Sequence, residues 1–349
     1  MKSLTIGNRE IGPGRPCFII AEVGVNHNGD PDLALEMIDA VAAAGVDCVK
    51  FQTFHADEFM NSPDQFYEYR SQGKLVKESM LAMFKRLELK QEAFAVLFEH
   101  ARKRGILALS TPTDRQAVDL LERIGTPAFK IGSDDIVYTP FIQHVAGKKK
   151  PVIISCGMAN ASDVDRAVDA VLSQGNDQLA ILHCVSLYPT PPAEVNLRRI
   201  STLQAMYDFP IGYSDHTDGI SACLGAVALG ACLLEKHFTL DKNLSGPDHW
   251  FSADPHELKA LVDQVRIMEA QLGHGRIWPS AGEREMASAC RRSIIVARDL
   301  PSGHMLREED LAFQRPGTGI MPYDLDKVLG RATLRPLLRG AMLTHADME

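Results

Sequence analysis

Phe18-Ile19-Ile20-Ala21-Glu22, a short apolar run ending in a carboxylate, opens the pattern that decides the fold. A candidate helix over 31–44 follows, and the next run is Cys48-Val49-Lys50-Phe51-Gln52. The alternation returns at 106–111, Phe129-Lys130-Ile131-Gly132-Ser133, 152–155, 180–184, 211–216 and 233–237, eight runs in all. Further candidate helices span 91–104, 114–124, 139–146, 161–173, 197–207, 219–232 and 255–272. Short apolar runs alternating with amphipathic stretches call for a parallel sheet wrapped by helices. Eight of them predict an α/β fold, a (β/α)8 TIM barrel, whose site gathers the residues at the carboxyl ends of the strands. The polar residues closing the runs then belong to one site.

The 349 residues accommodate a barrel of about 250 residues and a small second domain. The barrel is expected over 1–272, a Gly- and Pro-punctuated linker over 273–290, and a small β-rich domain over 291–349. A net charge of −8 argues against nonspecific binding to nucleic-acid phosphates. Met1-Lys2-Ser3-Leu4 does not begin a signal peptide, and no run reaches the ~18 apolar residues of a membrane span. The seven cysteines form no CxxC pair and sit mostly in apolar contexts, which suits buried thiols and a reducing cytoplasm. After the second run comes a long polar and aromatic insertion, 55–89, a candidate lid or specificity loop over the site.

Side chains alternate along a strand, so Glu235 and His237 point one way and Lys236 the other. A buried Glu and His need partners, and the seventh run supplies them in Tyr213-Ser214-Asp215-His216. His216 and His237 on neighbouring strands could share a divalent metal used as a Lewis acid, or could be hydrogen-bonded core residues. Across the barrel, Lys50 and Lys130 stand among Thr111, Ser133, Ser155 and Ser186, a set suited to a phosphate or carboxylate. A Schiff-base lysine is the alternative. Glu22, Asp135 and Glu235 remain for proton handling or for positioning substrate hydroxyls. Asn26-His27-Asn28-Gly29 and Gly246-Pro247-Asp248-His249 are polar loops at the mouth, readable as turns or as substrate contacts.

Taken in order, Glu22-Val23-Gly24, Asn26-His27-Asn28-Gly29, Val49-Lys50-Phe51-Gln52, Ser110-Thr111-Pro112, Lys130-Ile131-Gly132-Ser133, Tyr188-Pro189-Thr190-Pro191, Gly212-Tyr213-Ser214-Asp215-His216 and Glu235-Lys236-His237-Phe238 resemble the sialic acid (N-acetylneuraminate) synthase family. The tail from Arg291 through Arg315-Pro316-Gly317 resembles its antifreeze-like (SAF) domain. The resemblance implies a transferase that condenses phosphoenolpyruvate with an N-acyl hexosamine, N-acetylmannosamine first, to give a nonulosonic acid and phosphate. The pseudaminic, legionaminic and spore-coat-type products are the alternatives, with a non-catalytic sugar-binding protein a remote one. It implies that His216 and His237 hold a metal, Mn²⁺ before Mg²⁺ or Co²⁺. Lys50, Lys130, Thr111, Ser133 and Ser155 would cradle phosphoenolpyruvate. Glu22, Gln52, Asp135, Tyr188 and Glu235 would contact the sugar or move protons, with Ser186 and Asp215 also in the substrate set. Arg315 would reach a partner's sugar in a domain-swapped homodimer. The chain departs from the family on the sugar side: Asp134-Asp135 replaces Gly-Glu, Ser186 stands where some members carry Asn, and the insertion lacks a tryptophan.

Overall fold

Eight parallel strands form one sheet: β1 Phe18–Gly24, β2 Cys48–Thr53, β3 Leu107–Pro112, β4 Phe129–Ile131, β5 Val152–Ser155, β6 Leu179–Cys184, β7 Ile211–Asp215 and β8 Leu233–His237. The order around the sheet is β3-β2-β1-β8-β7-β6-β5-β4. β1 and β8 pair, so the sheet curls into a nearly closed barrel. Among the described residues the ladder is interrupted between β3 and the three-residue β4. The computed structural model describes residues 2–349, which fall into two units divided between Gly273 and His274.

Helices wrap the outside, and their starts are written in the sequence. Asp30 caps Pro31–Ala44 through the N–H groups of Asp32 and Leu33, with Pro31 in the first turn. Asn160 and Asp254 form capping boxes at the starts of Ala161–Leu172 and Pro255–Leu272. Outward-facing Ile19, Ala21 and Val23 of β1 pack in the layer beneath the helices. Inward-facing Phe18 and Ile20 join Leu109, Ile153, Leu182 and Leu233 in the barrel interior. A short N-terminal hairpin, Leu4–Ile6 with Arg9–Ile11, adds Leu4, Ile6 and Ile11 to that inner cluster. The aliphatic half of the barrel is thus filled, which leaves polar residues to the carboxyl half.

The insertion is an ordered element. Phe66–Ser71 pairs antiparallel with Lys74–Ser79, and the helix Met80–Leu87 follows. It has its own small core of Phe54, Tyr69, Met83 and Leu87 with Val25.

In the second unit, Ser293–Val296 pairs antiparallel with Leu311–Gln314 over a core that includes Ile294, Val296, Leu306, Val328 and Leu343. The stretch expected as linker carries a helix, Ala281–Cys290, started by a reciprocal cap between Ser280 and Glu283. Ser-x-x-Glu is a start signal for such a helix, which the linker expectation for 273–290 passes over. That helix buries no residue in its own unit. No helix among the described residues is long and apolar enough to cross a membrane.

Candidate active site

The carboxyl ends of the strands surround a cavity of about 520 Å³. Glu22, Lys50, Gln52, Thr111, Lys130 and Ser133 line it, as do Ser155, Ser186, Tyr188, His216, Glu235 and His237. Register explains the convergence: Glu22 lies opposite Lys50 on one side and His237 on the other, and Gln52 lies opposite Thr111. The β1–β2 register slips between Glu22 and Gly24. Gly24 has φ +56, and a Cβ there would come within 3.1 Å of Glu22 Oε1 and 3.3 Å of Gln52 Nε2. Glycine allows both the left-handed turn and the close approach.

Two buried lysines occupy one side. Lys50 Nζ lies 2.6 Å from Glu22 Oε2 and 3.7 Å from Glu235 Oε2, and donates to Thr111 Oγ1 at 3.0 Å. Lys130 Nζ donates to Ser155 Oγ at 2.6 Å and to the Ile131 carbonyl at 3.0 Å. The Gly157 N–H donates to Ser133 Oγ at 3.0 Å, and a Cβ on Gly157 would sit 2.3 Å from Ser186 Oγ. Ser186 Oγ is buried and has no hydrogen-bond partner among the described residues. Burial pulls the Lys130 ammonium below its usual range. Burial would do the same to Lys50, but Glu22 and Glu235 overcome it and hold Lys50 raised. Burial pushes Glu22 up to about 7 against the pull of Lys50, while Lys130 and Lys50 overcome burial at Glu235 and hold it low. Two cations, one firm carboxylate and one that protonates near neutrality leave this side receptive to an anion.

His216 and His237 stand opposite, with ring centroids 5.2 Å apart. His216 Nδ1 donates to the Val185 carbonyl at 2.8 Å, which fixes the ring; burial opposes its charge, but Cys184, that carbonyl and Glu235 overcome it and hold the imidazole raised, so a metal at Nε2 would displace a proton. His237 Nδ1 is buried with no hydrogen-bond partner among the described residues, 3.6 Å from Asp248 Oδ2. Burial, then His216 and the nearby lysines, keep His237 well below the usual imidazole range and so neutral. A fixed ring beside a neutral one with an unpartnered buried nitrogen fits a divalent ion. A second group close enough for a metal is His55, Glu58 and Asp114. There His55 Nδ1 is bonded to Asp114 at 2.7 Å and Nε2 to Gln91 at 2.8 Å, so neither ring nitrogen is spare.

Two of the expected residues of the barrel do not line the cavity. Asp215 is turned away from the cavity: it accepts from Tyr213 Oη at 2.9 Å, the Thr217 N–H at 2.9 Å and Lys236 Nζ at 2.8 Å. Period-two alternation requires this, since Ser214 and His216 face inward. Ser214 lines the cavity and donates to Glu235 Oε1 at 3.0 Å. At the end of β4, Asp134 lines the cavity and Asp135 does not. Asp135 keeps one buried oxygen unpartnered among the described residues, and burial with Asp134 beside it pushes its carboxyl up to about 7. Arg315 is exposed in the second unit, directly after Leu311–Gln314.

Several lining residues carried no sequence signal of their own. Cys184 looked like a core thiol, yet it lines the cavity with its sulfur 3.8 Å from His216 Nδ1. Phe54, Phe59, Tyr67 and Phe84 form an aromatic wall contributed by the insertion and its root. The rings of Phe59 and Phe84 meet edge to face at 5.0 Å.

The NeuB family profile matches residues 37–277, and the SAF domain profile matches residues 291–349. The chain is 43% identical to N,N'-diacetyllegionaminic acid synthase of Legionella pneumophila over 98% of both chains. It is 39% identical to the spore coat polysaccharide biosynthesis protein SpsE of Bacillus subtilis over 91% of this chain and 88% of that one. The crystal structure of the N-acetylneuraminic acid synthetase of Leptospira borgpetersenii, bound to citrate, superposes with a TM-score of 0.75 at 38% identity. That match covers 82% of this chain and 95% of the other.

Proposed function

The chain belongs to the NeuB family, and from that premise we propose that it condenses phosphoenolpyruvate with an N-acyl hexosamine to give a nonulosonic acid and phosphate. The observation that carries the reading is one cavity with two buried lysines among hydroxyls on one side and two adjacent histidines on the other. N-acetylmannosamine, giving N-acetylneuraminate, is one candidate sugar. A diacylated hexosamine is the other, favoured by the 43% identity with the Legionella pneumophila enzyme.

His216 and His237 would hold a divalent metal, Mn²⁺ first, which when bound supplies Lewis-acid polarisation of the aldehyde oxygen. Lys50 and Lys130 neutralise the phosphate and carboxylate of phosphoenolpyruvate, with Thr111, Ser133 and Ser155 completing the cradle. Carbon 3 of phosphoenolpyruvate bonds to the aldehyde carbon, water adds to carbon 2, and phosphate departs with its bridging oxygen. A trianionic substrate beside Glu22 raises that carboxyl further, so Glu22 carries a proton it can give to the new hydroxyl. Glu235, held ionised by the lysines, keeps Lys50 charged and in place.

Arg315 is assigned to the sugar of a partner subunit in a homodimer. Arg315→Ala is expected to raise the sugar KM about tenfold, the loss of one charged hydrogen bond, and to leave the phosphoenolpyruvate KM unchanged; equal losses in both remove that role. The reaction itself is tested by incubating the purified chain with Mn²⁺, phosphoenolpyruvate and a panel of N-acyl hexosamines. Sugar-dependent phosphate release and a product heavier by the pyruvate unit are expected, and no phosphate with any sugar rejects the proposal.

A further inference from the structure

Behind His216 and His237, on the outer face of the barrel wall, lies a buried ion pair that no step of the reaction uses. Asp215 and Lys236 are direct register partners on β7 and β8, and each immediately precedes one of the two histidines. Their side chains are 0% and 2% exposed, with Lys236 Nζ 2.8 Å from Asp215 Oδ2. Lys236 Nζ also donates to the Thr217 carbonyl, so it grips the residues on either side of His216. Asp215 is fully used. Its Oδ1 accepts from Tyr213 Oη and the Thr217 N–H, both at 2.9 Å, and its Oδ2 also from Cys223 Sγ at 3.2 Å.

Elsewhere on the barrel the outward residue before a charged cavity residue is apolar. Ala21, Val49 and Phe129 precede Glu22, Lys50 and Lys130, and all three belong to the core beneath the helices. A buried ion pair in such a layer is often no more stable than apolar residues of its size. Of these cavity residues, only the two histidines are backed by charges.

We propose that Asp215 and Lys236 are positioning residues of the metal site, a buckle between the ends of β7 and β8 that sets His216 and His237 in place for a divalent ion. The inference rests on the metal of the condensation reading above. Metal–ligand distances hold to within about 0.2 Å, whereas a lysine on its flexible stem can follow a phosphate. His216 has a further restraint in the bond from Nδ1 to the Val185 carbonyl. His237 Nδ1 has no such bond among the described residues, so the ring is placed by the strand end that carries it. Lys236, one residue earlier, ties that strand end to residues 215 and 217, and so to His216. Neither Asp215 nor Lys236 lines the cavity, so the pair acts through the main chain.

The test measures Mn²⁺ binding to the full chain without substrates, by calorimetry and by the electron paramagnetic resonance signal of free Mn²⁺. Wild type should bind the ion, and His216→Ala should abolish that binding. Asp215→Asn combined with Lys236→Met removes both charges, while the Asn oxygen still accepts from Tyr213 and Thr217. Its melting temperature should stay near that of wild type, yet Mn²⁺ should bind about 10- to 100-fold more weakly, as loss of an outer partner of a metal ligand does. Phosphoenolpyruvate binding without metal should stay within about twofold, because Lys50 and Lys130 share no hydrogen-bond partner with the pair. Asp215→Asn alone carries the test, with the same direction expected, if the double variant fails to fold. Unchanged Mn²⁺ affinity in a folded variant, or an equal loss for Mn²⁺ and phosphoenolpyruvate, overturns the inference. Wild-type Mn²⁺ binding that is absent, or that survives His216→Ala, overturns it too. Mn²⁺ binding that follows these expectations without phosphate release from any sugar would instead overturn the condensation reading and leave the pair's role standing.

Discussion

The two units bury carboxylates with opposite results. In the barrel, burial pushes Glu22 and Asp135 each up to about 7. In the second unit, Asp310 meets the same penalty, but bonds from His304, Arg298 and the Arg307 N–H outweigh it and hold its carboxyl at about 2. Its partners are close: Arg298 Nε at 2.7 Å, His304 Nε2 at 2.7 Å and the Arg307 N–H at 3.0 Å. Asp347 is lowered in the same way by Thr344 and Arg335. A carboxylate whose partners are all supplied by the fold ties chain segments together. One left short of partners costs stability and remains available for substrate. Burial and a raised carboxyl therefore do not by themselves mark a functional acid: Glu22 and Asp135 are raised alike, and only Glu22 lines the cavity.

The largest expected effect falls on the barrel side. Lys130→Met should cut turnover by about a thousandfold or more, as loss of one charge-stabilising donor does, while the melting temperature changes little because a buried cation is exchanged for an apolar chain of similar length. Near-normal turnover would place Lys130 with the structural residues. Next comes a barrel pair that belongs with the second unit's logic. Lys236 and Asp215, at 2.8 Å and both buried, lie behind the histidines, and Lys236→Met should cost about 3–5 kcal/mol in denaturant unfolding by stranding Asp215. An unchanged midpoint would break the comparison.

Asp310→Asn should cost about 1–3 kcal/mol in the second unit, the worth of hydrogen bonds to a charged group. Because folding lowers the Asp310 pKa from 3.8 to about 2, its contribution is complete above pH 4 and fades as the pH falls toward 2. The variant and wild type should therefore converge in stability at low pH, and a gap that persists there would contradict the assignment. The remaining prediction concerns the pH dependence set by Glu22. With its carboxyl at about 7, kcat/KM should show a limb near neutral pH that Glu22→Gln removes. A profile that keeps the limb would assign it to another group.

The barrel was legible because eight short apolar runs with polar ends have few other solutions, and the cavity followed from where those ends must meet. Most site residues lie on strands, where period-two alternation fixes direction; that rule places Ser214 inside and Asp215 outside. Alternation stops where strands stop. β4 ends at Ile131, so whether Asp134 or Asp135 faced the cavity depended on loop geometry that no periodicity encodes. The N-terminal hairpin left a faint trace in Gly7-Asn8 between its two short strands. The hairpin of the insertion turns at Gln72-Gly73, with φ +51 and +73, a left-handed pair that Gln does not announce. The aromatic wall arises from tertiary packing of that insertion, which no single stretch of sequence displays.

The account rests on a condensation in which the bond between carbon 2 and the bridging oxygen of phosphoenolpyruvate breaks. Phosphoenolpyruvate labelled with ¹⁸O at that bridging position, incubated with the chain, Mn²⁺ and an accepted N-acyl hexosamine, tests this directly. The label should leave entirely in the phosphate, with solvent oxygen appearing at carbon 2 of the sugar acid. Label retained in the organic product, with unlabelled phosphate, would contradict it.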